Sequence, residues 1–180
     1  MKTLICIPVY NGSKYIKRTI ESCLKQTCKV EIWVFDNCSL DSTYKIVNSY
    51  TLKNKNIKLF RNKKNLGRTG NWNMCLDKFM ESKFKYIKFL FAGDQIYPEC
   101  INKTEKIFSR YKNLGSIFFP YKFIKINGES SIYRYFNKNK LFRAKESIQI
   151  ILSEGSQLGA IVGNVYSRSA IKNHRFSTNH

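Results

Sequence analysis

The chain has 180 residues, 43% of them hydrophobic and 14% aromatic, which supports a packed core and excludes a disordered protein. Its 32 basic and 12 acidic side chains leave a net charge of +20, which favours an anionic partner: nucleic acid, an acidic membrane surface or a phosphorylated small molecule. Six cysteines without a CxxC pair and two histidines near the C-terminus exclude a zinc site, and no apolar run reaches the roughly 20 residues of a membrane span.

The N-terminal segment MKTLICIPVYNG predicts a buried strand rather than a secretion signal. Its apolar run breaks at Pro8 and enters a polar turn that has no small-residue cleavage site. We therefore expect a cytoplasmic protein whose scattered cysteines pack in the core of a reducing compartment.

Strands and helices alternate four times through about residue 112. Ser13 is placed to cap the first helix, and Pro98 is placed to begin the fourth. This alternation predicts an α/β fold with a mostly parallel, Rossmann-like sheet flanked by helices. The predicted strands are Thr3–Val9, Glu31–Phe35, Ile57–Phe60 and Tyr86–Phe91, and the predicted helices cover residues 13–26, 41–50, 71–82 and 98–111.

The pattern changes after Leu114. A strand-like segment follows, and Pro120 within it indicates an edge strand or a bulge. The next residues are basic and aromatic without a clear period. The predicted elements of this part are a strand at Ser116–Ile126, a short helix at Lys145–Leu152 and a final strand at Gly159–Val165.

Half of the net charge lies in residues 106–180, which makes this part the better candidate for contact with an anionic surface. A genome rich in A and T, which raises Lys, Asn and Ile together, is an alternative source of the charge. No repeat or linker divides the chain, so we expect a single domain over residues 1–180.

Polar, turn-forming residues follow each of the four predicted parallel strands. In an open parallel sheet, ligands bind beyond the carboxyl ends of the strands. We therefore expect a site for a polar, negatively charged ligand at this edge. Each residue also has a structural interpretation, as a turn or a helix cap; for Asp94 it is an N-cap near Pro98. The residues at this edge are Pro8, Tyr10, Asn11, Asp36, Asn37, Asp94 and the segment 65–73.

Four motifs in this order resemble family 2 of the nucleotide-sugar glycosyltransferases, which have the GT-A fold. The likeness covers about residues 3–112 and continues weakly through GAIVGNVYSRSAIKNHRF. It implies a nucleotide-sugar-binding half, residues 1–112, and a partial, truncated acceptor-side half, residues 113–180. The matching motifs are IPVYNGSKYIKRTIESCLKQT, WVFDNCSLDST, NLGRTGNWNMCLD and YIKFLFAGDQIYPECI.

The resemblance assigns one group of residues to the nucleoside. Pro8 and Tyr10 match residues that line the base and ribose pocket, and Asn11 lies in the same motif. Asp36 matches the first acidic residue of the family's acidic pair, near the nucleoside. Asn37 stands where many members have a second Asp, and its amide still offers a donor and an acceptor to a pyrimidine.

A second group is assigned to the diphosphate. Arg68 and Asn73 match the segment that closes over the nucleotide, and Gly93 precedes the metal-binding position. Asp94 matches the last carboxylate of the DxD-type motif, which holds Mg²⁺ or Mn²⁺. The resemblance therefore implies a divalent cation at Asp94, where oxygen ligands and retained waters suit a hard ion.

Two departures from the family pattern limit what the resemblance implies. The motif's other acidic positions hold Ala92, Gly93 and Gln95, which favours weaker metal binding. The carboxylate base of inverting members normally lies beyond the segment matching RFSTNH, so the catalytic base is not identified. Glu154 is not nominated by any motif, and a solvated helix end is its simpler interpretation.

The leading hypothesis is a metal-assisted, inverting transfer of sugar from a UDP- or dTDP-sugar to a glycan or lipid-linked acceptor. The basic, aromatic C-terminal part would then make peripheral contact with an anionic membrane. The alternative is a short or degenerate member that binds nucleotide sugar without efficient transfer. Nucleic-acid binding, which rests only on charge and aromatic content, has no recognisable motif, and we expect no nucleic-acid partner.

Overall fold

The computed structural model describes residues 2–133, 140–143 and 163–177. In chain order the elements are β1 (Thr3–Val9), α1 (Ile16–Leu24), β2 (Glu31–Asp36), α2 (Thr43–Lys53), β3 (Ile57–Arg61), α3 (Gly67–Glu81), β4 (Tyr86–Phe89), α4 (Cys100–Arg110), β5 (Ser116–Phe118), β6 (Tyr121–Ile124), β7 (Ser130–Tyr133), β8 (Asn164–Ser167) and α5 (Arg168–Ile171).

Six strands form one sheet in the order β3-β2-β1-β4-β8-β5, and β6 pairs with β7 as a separate hairpin. The strands β1 to β4 are parallel, as the alternation predicts. The strand β8 runs antiparallel to β4 and to β5, so it enters the sheet between them. The sheet is therefore mixed, with four parallel strands and an antiparallel extension.

The strand β1 is buried along its whole length, and its side chains alternate between two apolar clusters. Ile5 and Ile7 pack beneath helices α1, α2 and α4, whereas Leu4 and Cys6 pack against α3 on the other face. Because successive side chains of a strand point to opposite faces, a strand covered on both faces reads as a continuous apolar run.

The side chain of Arg168 joins the second part of the chain to the first. Its guanidinium donates hydrogen bonds of 2.7–2.9 Å to the carbonyl oxygens of Phe79, Met80, Ser82 and Phe84. Several of these are at the C-terminal end of α3, where carbonyl groups have no partner within the helix. Arg168 thus closes that helix end while anchoring α5.

Several predicted element boundaries differ from the structure. Ser13 does not cap α1: the helix begins at Ile16 without a side-chain cap, and the Ser13 N–H instead donates to Asp41. The predicted strand Ser116–Ile126 is two strands, β5 and β6, which break at Pro120 and belong to different sheets. Proline lacks the N–H that a ladder needs, which explains why the strand ends there.

The predicted helix at Lys145–Leu152 lies outside the described residues, as do residues 159–162 of the predicted last strand. The end of that strand corresponds to β8. Helix α3 begins at Gly67, earlier than the predicted residue 71, so Arg68 lies on a helix rather than in a loop. No helix among the described residues is long and apolar enough to span a membrane.

Candidate functional site

The parallel strands β1 to β4 bring their following loops to one edge of the sheet. The loops after β1 and β2 are joined directly: the Asn11 N–H donates to the Ser39 hydroxyl at 2.9 Å, and the Asn11 side-chain oxygen accepts from the Leu40 N–H at 2.9 Å. Asn11 adopts a positive φ of 49°, which asparagine tolerates. Gly12 is needed beside it, because a Cβ there would lie 2.5 Å from Cγ2 of Val9.

Tyr10 and Pro8 differ in what they present at this edge. The side chain of Tyr10 is 44% exposed, so its ring is available to a ligand. Pro8 is buried within β1, opposite Phe35 of β2. Pro8 supports the loop from below and does not line an open pocket.

Asp41 ties the second loop to the first. Its carboxylate accepts from the Ser13 N–H at 3.0 Å and from the N–H and hydroxyl of Thr43. Partial desolvation would raise the pKa of Asp41, but these hydrogen bonds outweigh it and lower the pKa to about 2. Asp41 is therefore a structural carboxylate at the start of α2.

Asp36 is fully buried at the end of β2. One carboxylate oxygen accepts from the Ser39 N–H at 3.1 Å; the other makes no hydrogen bond and lies 3.4 Å from Nε of Arg61. Arg61 is 41% exposed, stacks over Tyr44 at 4.6 Å and donates to the Ser39 carbonyl oxygen. The partly exposed guanidinium thus pairs with a carboxylate that is itself buried.

Four asparagines form a continuous hydrogen-bonded chain across the tips of β2 and β3; we call them the asparagine cluster (Asn37, Asn62, Asn65 and Asn71). The Asn37 amide donates to the Asn65 side chain at 2.7 Å and to the Gly67 carbonyl oxygen at 3.1 Å. Its oxygen accepts from the Asn62 side chain and from the Leu66 N–H, each at 2.9 Å.

The cluster continues inward from Asn62 to Asn71, which donates to the Phe35 carbonyl oxygen at 3.0 Å. Every polar atom of the Asn37 amide is therefore engaged within the protein, and none is left to contact a pyrimidine. Asn37 fixes the loop that precedes α3. Sequence reasoning missed Asn62, which lies in the predicted loop after β3, and included Asn71 only as part of the segment 65–73.

Helix α3 presents its N-terminal turn at the same edge, and that turn contains no acidic residue. Arg68 on this turn is exposed and lies 6.0 Å from the Trp72 ring. Trp72 in turn packs against Phe91, which follows β4, with ring centroids 5.2 Å apart. An uncharged helix N-terminus beside an arginine is suited to bind a phosphate group.

Asn73 does not point to a ligand. Its side-chain amide donates to the Phe176 carbonyl oxygen at 3.0 Å and accepts from the Phe176 N–H at 2.8 Å. The Phe176 ring packs edge-on against Trp72 at 5.1 Å. Asn73 therefore holds the segment after α5 beside α3 through both its side-chain nitrogen and its side-chain oxygen.

Asp94 lies in a tight turn after β4. Gly93 has a φ of 110°, and its N–H donates to the Thr19 hydroxyl at 2.8 Å. One Asp94 oxygen accepts a long hydrogen bond of 3.3 Å from the Phe91 N–H. Helix α4 begins at Cys100 with no side-chain cap, so Asp94 does not have the N-cap role. Its remaining carboxylate oxygen has no hydrogen-bond partner among the described residues.

Positive side chains surround this carboxylate. The Arg18 guanidinium lies beside Gly93, where a Cβ would be 3.2 Å from Nη2 of Arg18. Partial burial raises the pKa of Asp94, while the Phe91 N–H and the charges of Lys88 and Arg18 oppose that shift. Lys88 is 2% exposed, and burial lowers the pKa of its amine against the influence of Cys100, Cys23 and Asp94. Sequence reasoning did not nominate Arg18, because it lies on a helix and not in one of the loops that follow the strands.

A divalent cation fits Asp94 only with oxygen ligands from elsewhere. No group of three or more His, Cys, Asp or Glu side chains among the described residues is arranged to hold a metal. A single carboxylate suffices where phosphate oxygens and waters complete the shell, as is usual for Mg²⁺. Two surface cavities, of ≈ 340 Å³ beside β3 and ≈ 830 Å³ beside Lys2 and Lys112, lie away from this edge.

The family model described as Glycosyl transferase family 2 matches residues 4–174. The chain belongs to glycosyl transferase family 2. The match extends from β1 to the segment after α5, beyond the four motifs of the first 112 residues. The asparagine cluster, the α3 N-terminus and Asp94 all fall inside it.

The chain is similar in sequence to bacterial glycosyltransferases. An uncharacterized glycosyltransferase of Haemophilus influenzae is 30% identical over 174 residues, which covers 96% of this chain and 64% of the relative. The UDP-Glc:alpha-D-GlcNAc-diphosphoundecaprenol beta-1,3-glucosyltransferase WfaP of Escherichia coli is 34% identical over 116 residues, 61% of this chain and 44% of WfaP. The chain spans less than two thirds of the length of these relatives.

The crystal structure of residues 1–349 of Staphylococcus aureus TarS in complex with UDP-GlcNAc superposes with a TM-score of 0.72. It is 23% identical, and the superposition covers 96% of this chain and 47% of that one. The shared fold confirms the GT-A architecture that the resemblance implies.

Proposed function

We propose that this chain binds a UDP- or dTDP-sugar and transfers the sugar to a glycan or lipid-linked acceptor. Residues 1–112 form the donor-binding half, and residues 113–180 form part of the acceptor-side half. The observation that carries the proposal is the carboxylate of Asp94, one oxygen of which has no hydrogen-bond partner within the described part of the chain, with Arg18 beside the same turn. WfaP is named for its transfer of glucose from UDP-Glc, and TarS was crystallised with UDP-GlcNAc, which supports a UDP-sugar donor here.

The nucleoside would lie between the first two loops. The exposed Tyr10 ring offers a face for stacking on a base, and Arg61 offers its guanidinium above the buried Asp36. Asn11 and Asn37 would act mainly by holding these loops in place, since their side-chain oxygens already accept backbone N–H groups. Pro8 would support the floor of the pocket.

The diphosphate would lie between the α3 N-terminus and Asp94. Arg68 and the backbone N–H groups of the first α3 turn would bind phosphate oxygens, and Arg18 would add positive charge from the other side. Asp94, next to the flexible Gly93, would hold Mg²⁺ or Mn²⁺ together with those oxygens. When bound, the cation neutralises charge on the departing diphosphate.

Transfer requires the acceptor hydroxyl to attack the anomeric carbon as the bond from that carbon to the diphosphate oxygen breaks. In an inverting reaction the hydroxyl proton passes to a carboxylate base. At the described edge, Asp36 is ion-paired and Asp41 is fully hydrogen-bonded, so neither is placed to be that base. We assign the base to residues outside the described part.

The experiment is calorimetric titration of UDP and dTDP with Mn²⁺ present. We expect Asp94→Asn to weaken metal-dependent binding at least about tenfold, which is about 1.4 kcal/mol. Glu99→Gln, an exposed neutral substitution at the start of α4, is the matched control and should bind as the parent does. If the parent and Asp94→Asn bind nucleotide with equal affinity in the presence of Mn²⁺, the cation is not bound at Asp94.

The alternative is a chain that binds nucleotide sugar without transferring it, and it is favoured because Asp36 and Asp41, which lie at the described edge with Asp94, are both engaged within the protein. One assay distinguishes sugar transfer from binding without transfer. Sugar release from UDP-sugar that is lost in Asp94→Asn supports transfer or hydrolysis by this chain. Tight nucleotide binding with no release supports the binding role.

A further inference from the structure

Large apolar side chains are exposed in one part of the chain more than elsewhere. Seven of the twelve such side chains among the described residues fall between positions 118 and 141. Single exposed apolar residues are ordinary, but a group of them marks a surface that contacts a partner or a membrane. The seven are Phe118, Phe123, Ile124, Ile126, Ile132, Tyr133 and Leu141.

The β6–β7 hairpin carries most of this surface. Lys122 pairs with Ile132 and Ile124 pairs with Ser130, so these four side chains share one face. Ile124 and Ile132 are each 61% exposed, and Ile126 in the connecting turn is fully exposed. The opposite face carries Tyr121, which lies near Gly163. The face bearing the isoleucines therefore points away from the sheet.

The charge of this region indicates which kind of partner would cover the exposed apolar face. Residues 118–143 contain six basic residues and one acidic residue, Glu129, which already pairs with Lys125 at 2.8 Å. Two copies of this surface would repel each other, so self-association is disfavoured. An anionic lipid surface is complementary both to the basic residues and to the exposed isoleucines.

The position of the hairpin relates it to the donor site. Strand β5 is antiparallel to β8, which is antiparallel to β4, so β5 and β4 run in the same direction. The C-terminal end of β5 therefore reaches the edge of the sheet where Asp94 follows β4. The hairpin begins three residues after β5 ends, beyond Pro120.

We propose that the β6–β7 hairpin docks on an anionic membrane surface, with Ile124, Ile126 and Ile132 entering the interfacial layer. Docking directs the edge that carries Asp94 toward the bilayer. A membrane at that edge would present a lipid-linked acceptor to the donor site. This consequence of docking rests on the proposed function. The docking itself depends only on the hairpin.

The experiment is co-sedimentation with vesicles of phosphatidylglycerol and phosphatidylcholine, compared with vesicles of phosphatidylcholine alone. We expect binding to the anionic vesicles, and at least about tenfold weaker partitioning of the triple variant Ile124→Ser, Ile126→Ser, Ile132→Ser. The matched control is Leu52→Ser on α2, which removes a side chain that is 81% exposed and lies outside the hairpin. Circular dichroism checks the fold, and Ile126→Ser alone replaces the triple variant if that variant does not fold.

Three outcomes overturn docking. The first is that the parent chain fails to sediment with anionic vesicles. The second is that the triple variant sediments as the parent does, which would attribute the binding to net charge alone. The third is that ultracentrifugation shows a dimer of the parent chain that the triple substitution abolishes. UDP binding in the absence of lipid tests the proposed function separately. If vesicle binding depends on the hairpin but no nucleotide binds, docking is supported and the proposed donor site is contradicted.

Discussion

The parallel half of the sheet and the region after α4 use their apolar residues in opposite ways. Strands β1 to β4 bury nearly every apolar side chain between helices on two faces. The β6–β7 hairpin leaves three isoleucines exposed on one face and its turn. A two-stranded hairpin is marginally stable alone in water. The difference indicates that the first region is held by its own core, whereas the second is shaped for contact.

The sharpest test of this comparison is the same substitution in both regions. Ile87 is fully buried in β4, and Ile132 is 61% exposed in β7. We expect Ile87→Ala to lower the free energy of unfolding by about 4 kcal/mol and Ile132→Ala by less than about 0.5 kcal/mol. Urea denaturation followed by circular dichroism measures both. Similar losses at the two sites would mean that the hairpin face is packed against part of the protein.

The asparagine cluster offers the next largest effect, within the parallel half alone. Asn37→Asp removes both amide donors and places a carboxylate against the Asn65 side-chain oxygen and the Gly67 carbonyl oxygen. We expect the free energy of unfolding to fall by about 2 kcal/mol. Asn102→Asp on α4, where the side chain is not part of the cluster, is the control for adding a charge. A loss no larger than that of the control would assign the cluster no structural role.

The smallest effect concerns pH. The pKa of Asp41 is about 2 in the folded chain, below its ordinary value of 3.8, so its hydrogen bonds stabilise the fold above pH 4. That contribution falls as the pH drops from about 4 to about 2, and solvent screening of an exposed group limits it to about 1 kcal/mol.

Asp41→Asn should therefore be less stable than the parent near pH 6, and the difference should shrink toward pH 2. Denaturation with urea at the two pH values measures it. A difference that stays constant with pH would show that the carboxylate charge contributes nothing beyond its hydrogen-bond geometry.

The parallel half was predictable because local pattern and fold agree there. Continuous apolar runs gave β1 to β4 within about two residues, and strand direction alone places Tyr10, Asp36 and Asp94 at one edge. Element ends were less predictable. Ser13 has the chemistry of a cap, but its N–H bonds to Asp41, a contact between loops that are distant in sequence.

The hydrogen-bond partners of individual side chains could not be predicted, since they depend on which groups the fold brings close. Asn37 and Asn73 have the amides that a nucleotide would need, yet the first is bonded to residues between 62 and 67 and the second to Phe176. The break of the predicted strand 116–126 has a signal in Pro120, but the sequence does not show that β5 pairs with β8 while β6 pairs with β7. Arg18 was missed because helical periodicity shows exposure and not proximity to another loop.

The insertion of β8 between β4 and β5 has a consequence for synthesis on the ribosome. The parallel strands and their helices are complete once residue 110 has emerged, but the open side of β4 waits for residues 164–167. During that interval a central strand is temporarily an edge, with unpaired N–H and C=O groups that invite pairing with another chain. The nascent protein is then at its greatest risk of aggregation, and a chaperone that shields this side would raise its yield.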